Sequence, residues 1–243
     1  MITILIVDDE KLERRGIRFL LKREEGEFQI LEATNGKDAL GVLESNHVDI
    51  LFSDVKMPYM NGLELTKAVR EDHPDMEIVI FSGYNDFSYA REALRYGVVD
   101  YVLKPVDPEE FHKTFQRVME NISSKIEKKE QQEKKEEYVV KKAQEYMEKH
   151  CSEQLLLSDI AAQFHLHPNY FSSLFKKQLD MTVRDYILQL RMTKAKELMK
   201  DSSLKLLDIA LAVGYEDAAH FNRAFKNVTG VSPSMYRDGI KKQ

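Results

Sequence analysis

The sequence reads as two architectures in series: an α/β doubly wound domain on a five-stranded parallel sheet, then an all-α tandem of helix-turn-helix units. Three observations predict this. Short apolar runs alternate with stretches of helical spacing over about the first 120 residues. A block of Lys, Glu and Gln then breaks the apolar pattern from Glu127 to Glu137. Beyond it the chain repeats itself at an offset of 50 residues, as Phe175 and Phe225 illustrate, a period suited to two copies of one supersecondary unit. The expected domains are therefore residues 1–120, a charged helical linker over 121–138, and residues 139–243.

The strands come first. The runs Ile2–Val7, Ile50–Ser53, Ile78–Phe81 and Tyr101–Leu103 have the length and continuous apolar character of buried parallel strands, with Phe28–Ala33 a weaker fifth. Between them lie helical patterns such as Leu63, Ala68 and Val69, and finally Phe111, Phe115, Val118 and Ile122. That last stripe stops at Ile126. Residues 126–137 would span about 18 Å as a helix, so a solvated spacer is expected. The alternative, a coiled-coil dimer seam, needs apolar residues every 3.5 positions.

In the second half, Ser158 is placed to cap a helix carrying Ile160, Ala161 and Phe164. A break follows at His165-Leu166-His167, and Pro168 suits the first turn of a second helix. There Phe171, Leu174 and Phe175 form an i, i+3, i+4 core stripe that leaves Asn169, Ser172, Ser173, Lys176 and Lys177 exposed. Thr182 and Asp185 approximate a capping box for a connecting helix that continues to about Lys200. The second copy runs through Ile209, Ala210 and Val213, turns at Gly214-Tyr215, and is capped at Asp217. Its exposed side shows His220, Asn222, Arg223 and Lys226. A helix, a short turn and a second helix that enters the major groove is a unit that reads double-stranded DNA.

Composition narrows the function classes. An apolar fraction of 43% with 32% charged residues is that of a globular chain. A single cysteine, Cys151, rules out an internal disulfide and fits a reducing compartment. No window reaches the length of a membrane span, and the apolar start runs straight into Asp8, Asp9 and Glu10, so a cytoplasmic location with no membrane partner is expected. The net charge of −5 hides an asymmetry: residues 1–125 carry 16 Lys/Arg against 24 Asp/Glu, whereas residues 138–243 carry 16 against 12. An acidic half and a basic half imply different partners.

Four polar sites fall where the expected strands end: Asp8 and Asp9, Asp54, Ser82 and Lys104. An acidic residue at one strand end is ordinarily a loop start or helix cap, but a doubly wound sheet places its ligands on this rim. Three converging carboxylates repel unless a cation neutralises them, and oxygen-only ligands suit a hard ion such as magnesium. One carboxylate can then attack phosphorus and become an aspartyl phosphate, with Lys104 and Ser82 placed to offset charge on the phosphoryl oxygens.

The segments Ile6-Val7-Asp8-Asp9-Glu10, Ser53-Asp54-Val55-Lys56-Met57-Pro58 with Asn61-Gly62, Phe81-Ser82-Gly83-Tyr84 and Asp100-Tyr101-Val102-Leu103-Lys104-Pro105 resemble the receiver domain of two-component response regulators. The resemblance implies a flavodoxin-like strand order, with Asp54 accepting a phosphoryl group from a sensor histidine kinase. It implies magnesium on Asp9 and Asp54 directly, on Asp8 through water and on the backbone carbonyl of Lys56. Ser82 and Tyr101 would be the switch pair, Lys56 and Tyr84 would tune phosphate lifetime, and Lys104-Pro105 would be cis.

The segment Tyr170 to Lys177, together with Gly214-Tyr215, Phe221 to Lys226, Gly230, Ser232-Pro233 and Tyr236-Arg237, resembles the AraC/XylS family. Ser173 stands where that family often has arginine, and Arg223 keeps the arginine in the second copy. The joint implication is a phosphorylation-dependent, sequence-specific transcription regulator, not a dedicated enzyme, forming a homodimer on phosphorylation or on DNA. Two other readings use the same residues: an aspartate-based phosphotransfer enzyme, and an adaptor whose helical half is only structural.

Overall fold

In the computed structural model, residues 1–83, 87–201 and 203–240 are described, without the side chains at 87, 88 and 240. They form two compact units, residues 1–129 and 130–243.

The first unit is a five-stranded parallel sheet in the order β2-β1-β3-β4-β5, built from β1 (Ile2–Val7), β2 (Phe28–Ala33), β3 (Ile50–Asp54), β4 (Glu77–Ser82) and β5 (Asp100–Leu103). Its helices are α1 (Lys11–Leu21), α2 (Gly36–Ser45), α3 (Gly62–Asp72), α4 (Phe87–Arg95) and the first part of α5 (Pro108–His150). Period-two alternation sends Leu5, Val7, Leu51, Ile78 and Ile80 to one face, where Ala39, Leu43, Leu65, Val69 and Ala93 cover them. Ile4, Ile6, Phe52, Val79 and Phe81 face the other way, onto Ile17, Leu21, Phe111, Phe115 and Val118. Both faces are thus dry along β1, β3 and β4, which is why these strands read as nearly continuous apolar runs. Asp54 and Ser82 are the last residues of their strands rather than the first of the following loops. The chain reverses direction across the sheet between β1 and β3, so the crevice beyond their carboxyl ends is the topological switch point.

The second unit begins within α5, whose Val140, Ala143 and Met147 join its first core. The remaining helices are α6 (Leu157–Gln163), α7 (Pro168–Leu179), α8 (Val183–Leu198), α9 (Leu206–Ala212), α10 (Ala218–Thr229) and α11 (Pro233–Ile240). Two aromatic-centred cores, one under α6 and α7 and one under α9 and α10, repeat one geometry. Phe171 and Phe175 are tilted at 5.8 Å and Tyr186 meets Phe175 edge-on at 5.5 Å; in the second copy Phe221, Phe225 and Tyr236 do the same at 5.7 and 5.4 Å. Both second helices end in a left-handed residue, Asp180 and Gly230, at the same 50-residue offset seen in the sequence. In this conformation glycine has no Cβ penalty and aspartate tolerates one.

Local capping follows the sequence at Thr182, whose Oγ1 accepts from the Asp185 amide, and at Asp217, whose carboxylate accepts from the His220 amide. It departs at Ser158. Helix α6 starts two residues earlier with Leu156 in the cap position, and the Ser158 hydroxyl instead donates to Asp159 Oδ1. Packing of Leu155 and Leu157 into the core fixes this start, which the local preference for a hydroxyl cap does not override. Helix α8 ends at Leu198, two residues short of the expected Lys200. Among the described residues no helix is long and apolar enough to cross a membrane.

Candidate functional site

Three strand ends deliver the first site. Asp8, immediately after β1, and Asp54, ending β3, are both buried, and the Lys104 ammonium just after β5 lies 2.7 Å from Asp8 Oδ2 and 2.7 Å from Asp54 Oδ1. Glu13 Oε2 stands farther off at 3.8 Å. Backbone amides supply the remaining donors: Glu10 N to Asp8 Oδ1 at 2.8 Å and Lys56 N to Asp54 Oδ2 at 2.7 Å. Burial pushes the Asp54 carboxyl above its ordinary value, and the Lys104 and Lys56 hydrogen bonds only partly draw it back. Burial also works against the charged form of Lys104, but its hydrogen bonds to Asp54 and Asp8 prevail and hold its pKa above the ordinary lysine value. The ammonium is therefore charged, and it serves two carboxylates.

The backbone around Asp54 is held closely. Ser53 Oγ donates to the Asp54 carbonyl at 3.0 Å, and Val55 accepts from Gly62 N at 2.9 Å. A Cβ on Gly62 would lie 2.0 Å from the Asp54 carbonyl oxygen, so only glycine fits this approach. Asn61 and Glu64 form a full capping box at the start of α3. On the other side, Arg14 Nη1 donates to the Asp8 carbonyl at 2.7 Å while its Nε holds Glu32 at 3.0 Å, and Arg18 pairs with the other oxygen of Glu32. Sequence reasoning misses Arg14. Its spacing with Ile17 and Leu21 on the inward stripe of α1 is the available signal.

Ser82 is buried at the end of β4, where its carbonyl accepts from Lys104 N at 2.8 Å. Tyr101 is half-buried and packs against the core on the α2, α3 and α4 side. Lys56 is exposed, and the Lys104-Pro105 bond is cis. Tyr84 lies outside the described residues. Of the three expected carboxylates, Asp8 and Asp54 are buried around Lys104, and Asp9, next to Asp8, is exposed; among the described residues no three His, Cys, Asp or Glu side chains form a metal-binding group. Asp8 and Asp54 are balanced by Lys104, which leaves one negative charge in excess. Buried oxygen donors with residual negative charge fit a hard divalent cation.

The second site is the exposed side of α7 and α10. Asn169, Ser173, Lys176 and Lys177 on α7, and His220, Asn222, Arg223 and Lys226 on α10, are all exposed. Ser172 departs from expectation: it is half-buried, although the buried residues of α7 are the expected Phe171, Leu174 and Phe175. Two contacts are not legible in the sequence. Glu136 on α5 accepts from the Tyr170 hydroxyl at 2.9 Å and lies 3.7 Å from the Lys177 ammonium.

Comparison with known proteins agrees with this arrangement. Residues 4–116 match the response regulator receiver domain and residues 160–239 match a helix-turn-helix domain. A match to importin repeat 6 over residues 98–186 crosses the boundary between the two compact units and so corresponds to no folded unit here. An uncharacterized response regulatory protein of Staphylococcus epidermidis is 27% identical across 97% of this chain and 98% of its own length. The transcriptional regulatory protein HptR of Staphylococcus aureus is 25% identical over the same shares. Among solved structures, the REC domain of AraT, a response regulator from Geobacillus stearothermophilus, is 39% identical over 51% of this chain and 96% of its own, with a TM-score of 0.47. With a receiver domain carrying the carboxylate–lysine site and an AraC-type helix-turn-helix domain behind it, the chain belongs to the response regulators that regulate transcription.

Proposed function

We propose that Asp54 accepts a phosphoryl group from a sensor histidine kinase and that this event controls how α7 and α10 engage double-stranded DNA. The observation that carries the proposal is the Lys104 ammonium, 2.7 Å from both Asp8 and Asp54 at the rim of the sheet. In the transfer, an Asp54 carboxylate oxygen forms a bond to phosphorus as the phosphorus–nitrogen bond to the donor imidazole breaks, and the imidazole takes up a proton. Lys104 then stands beside the new phosphoryl oxygens, with Ser82 at the neighbouring strand end and Tyr101 as its switch partner. Asp9 and Asp54, Asp8 through water, and the Lys56 carbonyl would hold magnesium, which when bound supplies positive charge to the transferring oxygens.

The domain reading that goes with this is a receiver over residues 1–120, a charged linker over 121–138 and a DNA-binding domain over 139–243 in a cytoplasmic protein. Two states of the receiver, biased by phosphate, would set the affinity of the second half and any pairing of two chains on DNA. The test is twofold. Incubation with a small acyl phosphate and magnesium should label the protein, and Asp54→Ala should abolish labelling; retained label overturns the acceptor assignment. Footprinting on genomic fragments should give a protected site that changes with phosphodonor. An adaptor leaves none, and rapid turnover of phosphate esters points to an enzyme instead.

A further inference from the structure

Helix α7 carries more than the lysines of its exposed side. Tyr170 and Lys177 stand seven residues apart, two turns along one face, and both converge on a single carboxylate. Glu136 Oε1 accepts from the Tyr170 hydroxyl at 2.9 Å and from Gln132 Nε2 at 3.0 Å, while Oε2 is 3.7 Å from Lys177 Nζ. The Glu136 side chain is only 14% exposed, although it sits in a segment of α5 where Glu133, Lys134, Lys135 and Glu137 are all exposed. A groove of about 370 Å³ lined by Glu130, Glu133, Glu137, Lys177 and Gln178 lies alongside. A hydroxyl donor and an ammonium that grip two oxygens of one anion make the donor set by which proteins hold a backbone phosphate. Glu136 occupies it from within.

We propose that Tyr170 and Lys177 form a phosphate-contact site for DNA on α7, and that Glu136 is an internal stand-in for the phosphate which must leave before the site engages. The inference rests on the reading of α7 as a DNA-facing helix. It adds Tyr170 as a contact, and it makes the acidic segment of α5 a competitor for DNA rather than a bare spacer. Displacing Glu136 exposes one further cationic contact, which raises affinity for any sequence and steepens the dependence on salt.

The experiment uses the full chain and a mixed-sequence DNA duplex, with affinity read by fluorescence anisotropy across a salt series. Glu136→Gln should tighten binding about three- to tenfold and steepen the logarithmic salt slope by about one. Tyr170→Phe should weaken binding, and more so in the Glu136→Gln background than in the parent. Glu133→Gln removes the same charge from the same helix at a residue with no bond to α7 among the described residues, and it should leave affinity near that of the parent. An unchanged or weaker Glu136→Gln, or an equal gain from Glu133→Gln, overturns the proposal. If Lys177→Ala and Lys226→Ala also leave binding unaltered, the DNA-facing reading of the helices fails as well; if they weaken it, only the Glu136 competition is lost.

Discussion

Lys104 and Asp8 are 96 residues apart in the chain and 2.7 Å apart in the fold. The same ammonium lies 2.7 Å from Asp54, so one cation bridges carboxylates delivered by two different strands. Like charges this close are tolerated only when such a partner is present.

Removing that partner tests the arrangement. Lys104→Ala should lower the stability of the metal-free protein by about 3 kcal/mol, the scale for breaking a buried ion pair, as measured by urea unfolding. Adding Asp54→Asn should restore most of the loss, since one of the two repelling charges is gone. Equal midpoints for the single and double variants would show that the carboxylates do not interact through Lys104.

Glycine at position 62 is fixed by the Asp54 carbonyl, which an added Cβ would meet at 2.0 Å. Gly62→Ala should cost about 2 kcal/mol of stability through forced backbone movement, and it should slow phosphoryl uptake at the displaced Asp54. Gly41, within α2 and with no heavy atom within 4 Å of an added Cβ, is the control. There alanine should be neutral or stabilise by up to about 1 kcal/mol, because it gains helix propensity without strain. Similar melting shifts for both substitutions would refute the steric argument.

Glu32 gives a pH prediction. The Arg14 hydrogen bond is the largest influence on it and, with Arg18, holds its carboxyl below the ordinary value of 4.5. Because the folded pKa lies below the unfolded one, the stabilisation is complete above the unfolded value and disappears as pH falls through the lower, folded one. Glu32→Gln should therefore reduce stability at neutral pH and flatten the acid side of the stability profile below about pH 4.5. A variant profile parallel to that of the parent across this range contradicts the assignment.

On α10, Arg223 and Lys226 are both exposed and should behave differently on DNA. Arg223→Ala should relax sequence preference at one base position, costing about 1–3 kcal/mol on the preferred site. Lys226→Ala should weaken all sequences alike and reduce the salt slope by about one. Selection of bound sequences, combined with salt titration, separates the two. Identical effects would remove the division between base reading and phosphate contact.

Much of the fold is legible in the amino-acid sequence alone. Buried parallel strands announce themselves as nearly unbroken apolar runs, so the expected bounds of Ile2–Val7 agree with the folded strand to the residue, and those of the half-buried Phe28–Ala33, where Gln29 and Glu32 are exposed, do so as well. The strand-end chemistry follows, because a doubly wound sheet gathers such ends on one rim. What escapes is non-local. Arg14 reaching the Asp8 carbonyl, and Glu136 reaching Tyr170 across 34 residues, depend on how whole helices pack, and no local pattern encodes that. Ser158 fails for a related reason: a hydroxyl competes for the cap position locally, but Leu155 and Leu157 set the start of α6 through the core. Charge repulsion among the strand-end carboxylates points to an external metal, whereas the fold already contains an internal cation for Asp8 and Asp54 in Lys104.

The matching aromatic trios, Phe171, Phe175 and Tyr186 in one copy and Phe221, Phe225 and Tyr236 in the other, give each reading head its own keystone. Damage to one trio need not topple its twin. A lesion at Phe225 would then strike one core directly and meet the other along α8, the helix that lines both.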